Sequence, residues 1–446
     1  MMDQRKLSVF GSKLLLRFAI LPVLLISPMP RCYGAQRQPN VILILADDVS
    51  AREYSMYGGA DVKTPHLDAL ATSGICFRTV WAAPVCGPSR AMLMTGRYNE
   101  TTGLGPNAAA RASLKRMLDN PQIGRLMRKA GYATGIFGKL HHGGDPKDYG
   151  FDEHCLCLPW AGYTGKPQNK AAKGGMYAVH WYWHPGLIAN GKGVPSTAND
   201  FGPEIECERI LDFISRKKNG PFFVFWPTNL PHHEFVEKTG RWARPDVPEL
   251  DTKGKPTGNR IAGSLESNLA YLDAKMGQIH RHLKDLGIAG NTIFIYTADN
   301  GTAGYGKGIP DSSKAVRVPL IVGGGHVPPL GARDEMIDFT DILPTLLDLA
   351  GATAPKGLDG RSFAPLLNGR PFAGREWIYS SGELQRRLQG TIGRWVRDER
   401  WLLDASDQLW DCGKERDEKH YRRVSPDAPD AAATIKRLKS KAPRRR

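Results

Sequence analysis

Residues 86–97 combine a thiol, a proline and two arginines in an arrangement that favours binding of an anion. The segment reads Cys-Gly-Pro-Ser-Arg-Ala-Met-Leu-Met-Thr-Gly-Arg. Pro88 is suited to the first position of a helix, where its missing N–H is not needed. Cys86 would then face free backbone N–H groups at the positive end of a helix dipole. Position alone favours a plainer alternative, in which Cys86 is a buried free thiol ahead of a helix.

Polar side chains close four apolar runs that have the length of buried strands. The runs and the residues that follow them are 41–46 with Asp47 and Asp48, 132–138 with Lys139, His141 and His142, 221–226 with Thr228, Asn229, His232 and His233, and 292–298 with Asp299 and Asn300. Continuous apolar runs are typical of strands that helices cover on both faces of a parallel sheet. Ligands bind outside the carboxyl ends of such strands, so we expect the four clusters to meet at one edge.

Helix signals between these runs complete an α/β pattern. Thr64 is suited to cap a helix with Pro65 at its first position and Gly74 as its terminator. The other expected helices lie at about 120–131, 204–218 and 261–286. The sequence therefore predicts an α/β fold over residues 36–360, with a large doubly wound, mixed but mostly parallel sheet flanked by helices.

The carboxyl-terminal part has a different sequence pattern. Four short strand-like runs separated by turns lie at 376–381, 393–396, 400–403 and 408–411. They predict a small antiparallel α+β subdomain over residues 361–425. Residues 436–446 carry seven basic and no acidic side chains. We therefore expect 426–446 to be a disordered, solvated basic tail, with weak attraction of anions as the alternative.

The first 35 residues have the layout of a secretory signal peptide. Basic residues at positions 5, 6 and 13 precede an apolar stretch at 14–26, and a small-residue region ends near position 35. This order predicts export to the periplasm or the extracellular space, with no stable membrane span after cleavage. A spanning helix needs roughly 20 apolar residues, so an uncleaved membrane anchor is the second choice.

Composition limits the class of protein. The chain has 446 residues, of which 41% are hydrophobic and 24% charged, which excludes a disordered protein and one that crosses a membrane many times. The formal net charge is +16, but much of it lies at the two ends, and no basic stripe with interleaved aromatic side chains runs through the body. We therefore expect no nucleic-acid partner.

Cysteine usage gives no metal pattern. Six cysteines remain after the expected cleavage, and their spacing does not resemble a zinc site. They are Cys76, Cys86, Cys155, Cys157, Cys207 and Cys412. The sequence leaves their disulfide pairing open.

Residues 86–97 resemble the type I sulfatase signature, Cys-x-Pro-Ser-Arg followed by Thr-Gly-Arg. The segments NVILILADD, TPHLDALATSGICF, GKLHHG with YGFDEH, PFFVFWPTNLPH, TADNG and VRVPLIV resemble the family's other landmarks, in the family's order. The likeness runs from residue 40 to about residue 321, and a weaker match lies at 409–411. The chain is thus identified as a member of the formylglycine-dependent sulfatases of the alkaline phosphatase superfamily.

The resemblance implies that a formylglycine-generating enzyme converts Cys86 to formylglycine (3-oxoalanine), whose aldehyde hydrate is the nucleophile. One geminal hydroxyl of the hydrate attacks sulfur and expels the alcohol. The second hydroxyl then collapses to the aldehyde, so that sulfate leaves by C–O cleavage. A serine at this position could form the sulfate ester, but it has no second hydroxyl that could expel the sulfate by C–O cleavage.

The resemblance also implies a metal site. Asp47, Asp48, Asp299 and Asn300 match the family's ligand positions, with the hydrate derived from Cys86 as a further ligand. Carboxylate and amide oxygens suit a hard divalent cation, and calcium is the ion that the family implies. The alternative is that Asp47 and Asp48 only cap the next element. That alternative does not explain why a second polar pair closes another strand-like run.

Matching to the family assigns roles to the basic residues of the clusters. Arg90 would hold the hydrate and the carboxylates of the ion site, Lys139 would bind a sulfate oxygen, His141 would contact the hydrate and assist collapse of the ester, and His232 would protonate the departing alkoxide. Taken alone, each of these side chains would be interpreted as a solvated loop residue.

One position departs from the family's usual pattern. The second sulfate-binding lysine of the family matches Lys307 in GYGKG, with Lys314 as the competitor. The usual Glu-Gly-Gly run is replaced by residues 312–315, Ser-Ser-Lys-Ala, which leaves the choice between the two lysines open.

The sequence therefore predicts an exported, calcium-dependent sulfatase that acts on a sulfated small molecule or carbohydrate. Aromatic residues at 180–184, with Trp160 and Tyr163, could stack against sugar rings or form a buried cluster. One alternative is a phosphate mono- or diesterase of the same superfamily, because phosphate is a similar tetrahedral oxyanion. Another is an inert sulfatase-like binding protein in which Cys86 is never modified.

Overall fold

The structure, a computed structural model, describes residues 38–102, 104, 111–157, 180–236, 239–384 and 391–443. The expected signal peptide, Trp160 and Tyr163 lie outside the described residues. Gln38–Arg446 form one compact unit. The predicted catalytic region and the predicted carboxyl-terminal subdomain are therefore parts of a single structural unit.

The described part of the chain contains twenty-one strands. The first ten are β1 (Asn40–Ala46), β2 (Ile75–Phe77), β3 (Val80–Trp81), β4 (Ala133–Gly138), β5 (Glu153–Cys157), β6 (Leu187–Ala189), β7 (Lys192–Val194), β8 (Phe222–Pro227), β9 (Glu234–Val236) and β10 (Arg241–Ala243). The others are β11 (Val247–Leu250), β12 (Pro256–Ile261), β13 (Thr292–Ala298), β14 (Leu320–Gly324), β15 (Gly331–Arg333), β16 (Ile337–Asp338), β17 (Trp377–Glu383), β18 (Ile392–Asp398), β19 (Trp401–Leu403), β20 (Leu409–Asp411) and β21 (Arg422–Arg423).

A ten-stranded sheet of order β15-β2-β14-β13-β1-β8-β4-β5-β6-β7 forms the centre of the molecule. Its five middle strands, β13 to β5, run parallel, whereas β14 and β6 pair antiparallel with the strands at either side of this block. Every residue of β1, β8 and β13 is buried, as expected for strands covered on both faces. The predicted mixed, mostly parallel sheet is confirmed, and the carboxyl ends of β1, β4, β8 and β13 lie along one edge.

Ten α-helices lie in the described residues. They are α1 (Pro65–Ser73), α2 (Cys86–Thr95), α3 (Asn99–Thr102), α4 (Arg111–Asp119), α5 (Ile123–Lys129), α6 (Gly202–Lys217), α7 (Leu265–Asp285), α8 (Ile342–Leu349), α9 (Ala364–Leu367) and α10 (Ala431–Lys439). The four helices predicted from the sequence correspond to α1, α5, α6 and α7, to within about one turn at each end.

The amino terminus of α1 is held differently from the prediction. Thr64 precedes the helix, but its side chain makes no capping hydrogen bond. The carboxylate of Asp273, on α7, instead accepts hydrogen bonds from the backbone N–H groups of His66 (3.1 Å) and Leu67 (2.8 Å). A tertiary contact therefore supplies the cap, which local sequence cannot reveal.

The carboxyl-terminal sheet is antiparallel, as predicted, with the order β17-β18-β19-β20-β21. The smaller sheets β9-β10, β11-β12 and β3-β16 lie outside it. Within the described ranges, no helix combines the length and the apolar character that crossing a membrane requires. All six described cysteines are buried free thiols.

The prediction of a disordered basic tail is wrong for residues 431–439, which form α10. Ala431 and Leu438 are buried in the core. Two of the basic side chains pair with acidic groups near the sheet, Arg437 with Asp398 at 2.6 Å and Lys439 with Asp407 at 2.9 Å. The cluster of charge had suggested a solvated segment, but these acidic partners are distant in sequence.

Candidate active site

The paired strands β1 and β13 bring two pairs of polar residues together. Asp47 and Asp48 leave β1 beside Asp299 and Asn300, which leave β13, because parallel pairing holds the strand ends in register. The backbone N–H of Asp48 donates to Oδ1 of Asp299 over 3.1 Å, and Nδ2 of Asn300 donates to Oδ1 of Asp48 over 2.8 Å. All four residues are buried.

Helix α2 places Cys86 and Arg90 against these carboxylates. Cys86 is the first residue of the helix, and its Sγ lies 4.0 Å from Oδ1 of Asp48. Arg90, one turn later, donates from Nη2 to Oδ2 of Asp299 over 2.8 Å and to Oδ2 of Asp47 over 3.3 Å. The guanidinium therefore fixes the two strand ends relative to the helix.

Pro88 is the third residue of α2, not the first as predicted. The first-turn N–H groups of a helix have no acceptor within the helix, so proline fits at this position as well. The backbone N–H of Ser89 donates to the carbonyl of Val85, and its Oγ accepts from the N–H of Ala83 over 2.9 Å. Cys86 itself therefore begins the helix, with the preceding loop bound to its first turn.

The end of β4 contributes Lys139 and His141. Nζ of Lys139 donates to Oδ2 of Asp47 over 2.5 Å, and its carbonyl accepts from Nη1 of Arg90 over 2.9 Å. The same Nζ lies 5.6 Å from the centre of the Trp181 ring. His141 is half-buried, and burial, followed by the charge of Lys139, holds its pKa well below the usual range.

The segment after β8 contributes His232. Its Nδ1 lies 2.5 Å from the carbonyl oxygen of His233, so Nδ1 is the donor and Nε2 faces the site. Nε2 is 3.4 Å from Oδ2 of Asp48 and 3.4 Å from Nζ of Lys307. Burial lowers the pKa of His232 to about 4, so the imidazole is neutral at neutral pH in the free protein.

The structure separates the two candidate lysines. Nζ of Lys307 lies 2.7 Å from Oδ1 of Asp48, inside the cluster. Lys314 instead pairs with Asp311 at 2.5 Å, and both side chains are about one-third exposed. Only Lys307 of the two is in position to act at this site.

The charges of the cluster balance. Its three carboxylates belong to Asp47, Asp48 and Asp299, and its three cations to Arg90, Lys139 and Lys307. Burial would raise the pKa of Asp47, but Lys139 and the other nearby cations hold it well below its usual range. Burial and the neighbouring charge of Asp47 raise the pKa of Asp299. Burial also raises the pKa of the Cys86 thiol to about 12, so the unmodified thiol is neutral at neutral pH.

The acidic side of the cluster suits a hard divalent cation. One ligand atom from each of Asp47, Asp48, Cys86 and Asp299 lies within 4.8 Å of the others. Oδ1 of Asp47 and Oδ1 of Asn300 are buried and have no hydrogen-bond partner among the described residues. Leaving such oxygens without a partner is costly, and they are the ligands that calcium takes in proteins. Because the six charged side chains balance, a divalent cation would give the site a net positive charge that favours an anion.

Three side chains lie beside this cluster: Trp181, which the sequence analysis named among the aromatic residues that could stack on sugars, and Trp242 and Arg244, which it missed. Trp181 packs its ring 5.3 Å from that of His232, and the Trp242 ring lies 6.3 Å from His232. Arg244 donates from Nη1 to the carbonyl of Pro231, next to His232. The only local signal for the last two is a tryptophan between two arginines at 241–244, Arg-Trp-Ala-Arg, and this pattern does not show that the segment lies beside His232.

Comparison with known proteins agrees with the geometry. A family model described as Sulfatase matches residues 39–352, and one described as N-sulphoglucosamine sulphohydrolase, C-terminal, matches residues 311–404. Arylsulfatase A of Bos taurus is 30% identical over 394 residues, which cover 80% of this chain and 73% of that protein. The ulvan-active sulfatase of Formosa agariphila is 27% identical over 385 residues, which cover 84% of this chain and 67% of that protein.

A solved structure has a similar fold over most of the chain. The crystal structure of Ps i-CgsB in complex with k-i-k-neocarrahexaose aligns with a TM-score of 0.70 and 25% identity, covering 90% of this chain and 91% of that one. The family match spans most of the chain, and it includes every strand end that contributes to the cluster. The chain therefore belongs to the sulfatase family, in the type I branch of the alkaline phosphatase superfamily, and is a sulfuric ester hydrolase.

Proposed function

We propose that this sulfatase removes sulfate from a sulfated carbohydrate, using a formylglycine made from Cys86 and a calcium ion held by Asp47, Asp48, Asp299 and Asn300. One observation carries the proposal: the buried Cys86 at the start of α2 lies at a cluster of three carboxylates and three cations. The ends of β1, β4 and β13, the loop of Lys307 and α2 itself supply these charged groups. A structural thiol would not need this charged surrounding.

The two bound groups supply separate parts of the chemistry. The hydrated aldehyde would provide an oxygen nucleophile for sulfur, and the calcium ion would attract the sulfate oxygens. The unpartnered oxygens of Asp47 and Asn300 support the ion site. Arg90 keeps the carboxylates of Asp47 and Asp299 oriented, through the hydrogen bonds that it donates to both.

The remaining cations bind and orient the ester. Lys139 pairs with Asp47 and Lys307 pairs with Asp48, so both ammonium groups lie at the cluster, where they would bind the oxygens of the sulfate ester. His141 lies beside Lys139 and would assist release of sulfate. His232 presents Nε2 to the same space, where it would protonate the leaving alcohol oxygen. The negative charge of an arriving sulfate ester favours the protonated imidazole that this step requires.

The substrate class is supported by the relatives and by the surface near the site. One relative is named an ulvan-active sulfatase, and the similar solved structure of Ps i-CgsB contains a bound k-i-k-neocarrahexaose. In this chain, Trp181 and Trp242 flank His232. Aromatic rings commonly stack on the apolar faces of sugars, and this geometry would place a sugar next to the proton donor.

The cellular setting follows from the amino-terminal sequence. Residues 1–35 have the layout of a signal peptide, so we propose that the protein is exported to the periplasm or the extracellular space. A formylglycine-generating enzyme would have to act on Cys86 before folding, because α2 is buried along its whole length in the folded protein.

The decisive experiment is mass spectrometry of the Cys86 peptide from an active preparation. Formylglycine at position 86, together with faster turnover of an aryl sulfate than of the matched aryl phosphate, is the expected result. The Cys86→Ala protein serves as the control and should have no sulfatase activity. An active preparation that contains only the thiol would refute the formylglycine, and faster phosphate turnover by the modified protein would make it a phosphatase.

A further inference from the structure

The hairpin of β9 and β10 lies beside His232 in the candidate active site. β9 begins two residues after His232, and the Trp242 ring lies 6.3 Å from the His232 ring and 5.8 Å from that of Phe235. Phe235 is the cross-strand partner of Trp242, so both side chains project from the same face of the hairpin. Trp242 remains 48% exposed, which is unusual for the largest apolar side chain.

Arg244 extends from the same end of the hairpin toward the site. It is half-buried, and its Nη1 donates to the carbonyl of Pro231, the residue before His232. Burial lowers the pKa of Arg244, and the negative charge of Asp48 is the largest effect that opposes this lowering. The guanidinium is thus close enough to the cluster to be influenced by its carboxylates.

No carboxylate in the described part of the chain forms an ion pair with Arg244. The acidic groups that influence it are engaged elsewhere: Asp48 lies 2.7 Å from Nζ of Lys307, and Glu53 accepts from the hydroxyl of Tyr305 over 2.7 Å. Glu266, at the start of α7, accepts a hydrogen bond from Ser264, which lowers its pKa, and the charge of Arg244 adds to this lowering. Glu234 sits opposite Ala243 in the hairpin, on the other face from Trp242. A partly desolvated guanidinium without an anionic partner is costly to the free protein and is suited to receive an anion.

We propose that Trp242 and Arg244 form a sugar subsite that selects substrates with a second anionic group. The Trp242 ring would stack on the pyranose that carries the scissile sulfate or on its neighbour. Arg244 would bind a carboxylate or a second sulfate ester on that sugar through two parallel N–H donors. This inference rests on the proposed function and adds to it the charge of the substrate beyond the ester that is cleaved.

Electrostatics favours this class of substrate over a neutral sugar with one sulfate. The cluster already provides Lys139 and Lys307 for the scissile group, so a further cation at the entrance is not required for it. Arginine is also the residue that matches a planar or tetrahedral oxyanion with two donors. A sugar that brings an oxyanion to this position would relieve the uncompensated charge of Arg244.

The test compares matched substrates on the wild-type protein and its variants. One set pairs methyl glycoside monosulfates with the corresponding disulfates, and a second set pairs sulfated disaccharides whose neighbouring sugar is neutral with those in which it is a uronate. For each pair, the quantity measured is the ratio of kcat/KM for the more anionic substrate to kcat/KM for the less anionic one. The wild-type ratio should exceed about 10 in one of the two sets, which also tells whether the preferred group is a sulfate or a carboxylate.

Three variants localise the preference. Arg244→Ala should bring the ratio to about 1, chiefly through KM, and Arg244→Lys should retain part of it, because lysine keeps the charge but not the two-donor geometry. Arg241→Ala removes an exposed arginine three residues before Arg244, in β10, and should keep the wild-type ratio. Trp242→Ala should raise KM for both members of every pair. Thermal unfolding of each variant checks that the hairpin still folds.

The outcomes separate this inference from the proposed function. If the modified wild-type protein cleaves sulfate esters with a ratio near 1 in both sets, or if Arg244→Ala keeps the wild-type ratio, the subsite is overturned while the sulfatase remains. Cleavage of aryl sulfates but of none of the sugars also overturns it. Failure of the modified protein to cleave any sulfate ester refutes the proposed function itself.

Discussion

At the scale of single residues, the site contains charged groups, each of which would destabilise the folded protein if it were buried without the others. Burying a carboxylate without a partner is strongly unfavourable, yet three lie together at the ends of β1 and β13. Arg90 and Lys139 offset part of that cost, with hydrogen bonds of 2.8 Å to Asp299 and 2.5 Å to Asp47. Lys139 therefore both stabilises a buried carboxylate and would bind the sulfate ester, whereas Arg90 orients the carboxylates.

The position of His232 makes a prediction about leaving groups. We expect His232→Ala to slow sugar sulfates by about 100-fold or more and nitrophenyl sulfate much less, because only a poor leaving group needs a proton donor. The measurement is kcat on both substrates. His233→Ala is the control, since its backbone carbonyl still accepts from His232, and its effect should not depend on the leaving group. Equal losses on both substrates would remove the acid role from His232.

The ligand set makes a prediction about metal content. Asp299→Asn should reduce bound calcium from stoichiometric to near zero and abolish activity, since it removes a carboxylate charge from a site with few ligands. Elemental analysis after dialysis measures the ion directly. Asp285→Asn, an exposed residue at the end of α7, should keep wild-type calcium. Unchanged calcium in Asp299→Asn would exclude this residue as a ligand.

At the scale of elements, backbone conformation at the strand ends aims the functional side chains. Asp48 and His141 both adopt left-handed backbone conformations, with φ of +65° and +73°, which a non-glycine residue rarely takes. Gly138, the last residue of β4, has φ of +116°. These turns direct the chain out of the sheet at the strand ends, where Asp48, Lys139 and His141 lie, and the packed parallel strands hold the turns in place.

Gly138 allows the closest approach between β4 and β8, and its substitution tests that role. A Cβ at this position would lie 2.3 Å from the carbonyl oxygen of Pro227, which accepts the N–H of Lys139 over 2.7 Å. We expect Gly138→Ala to cost more than about 2 kcal/mol in stability and to reduce activity severely by displacing Lys139. Urea unfolding and kcat/KM measure the two effects.

Gly131→Ala provides the matched control for backbone strain alone. Gly131 has φ of +93°, and a Cβ at this residue would have no other atom within 4 Å, so the strain of about 1 kcal/mol is the whole expected cost. Activity should stay near that of the wild type. If the two alanine variants lost the same stability and activity, the contact with Pro227 would not be what positions Lys139.

At the scale of the whole molecule, the carboxyl-terminal sheet supports the loop that carries Lys307. Nε1 of Trp395, on β18, donates to the carbonyl of Ser312 over 2.9 Å, and Arg317 pairs with Glu418 at 3.0 Å. All four side chains are buried. Because breaking a buried ion pair leaves an uncompensated charge, the sheet and the catalytic region should unfold together rather than as two domains.

A buried carboxyl beneath the central sheet gives a pH-dependent term to the stability of this unit. Oε2 of Glu206, on α6, accepts from Nε1 of Trp226 over 2.9 Å, and burial raises the pKa of Glu206 to about 7. Between the unfolded pKa of about 4.5 and the folded value, the folded state binds more protons, so stability falls as pH rises through this range and levels off above it. The total loss is on the order of 3 kcal/mol.

The variant Glu206→Gln isolates this term, since it keeps an acceptor for Trp226 and cannot ionise. The difference in free energy of unfolding between Glu206→Gln and the wild type should shift in favour of the variant by up to about 3 kcal/mol from pH 5 to pH 8. Urea unfolding at both pH values measures it, with the exposed Glu376→Gln as the control for removing a carboxyl group. A difference that does not change with pH would show that Glu206 is not protonated in the folded protein.

Local sequence was sufficient to predict the residues that follow the four central strands and the parallel sheet that gathers them. Apolar runs such as those of β1 and β13 bury both faces, and this local property fixes the edge at which Asp47 and Asp299 meet. Residues 86–97 resemble the sulfatase signature, and this motif identified the family. The family match over most of the chain agrees with it.

Other features depend on partners distant in the chain, and only the folded protein revealed them. In the folded protein, Lys307 rather than Lys314 lies next to Asp48. Asp273 caps the amino terminus of α1, and Asp398 pairs with Arg437 of α10. Folding also placed Arg244 beside His232, where no carboxylate among the described residues forms an ion pair with it. Each of these features depends on electrostatic and packing contacts between residues that are far apart in the sequence. The spacing of such residues follows no repeating pattern, so local sequence could not predict the contacts.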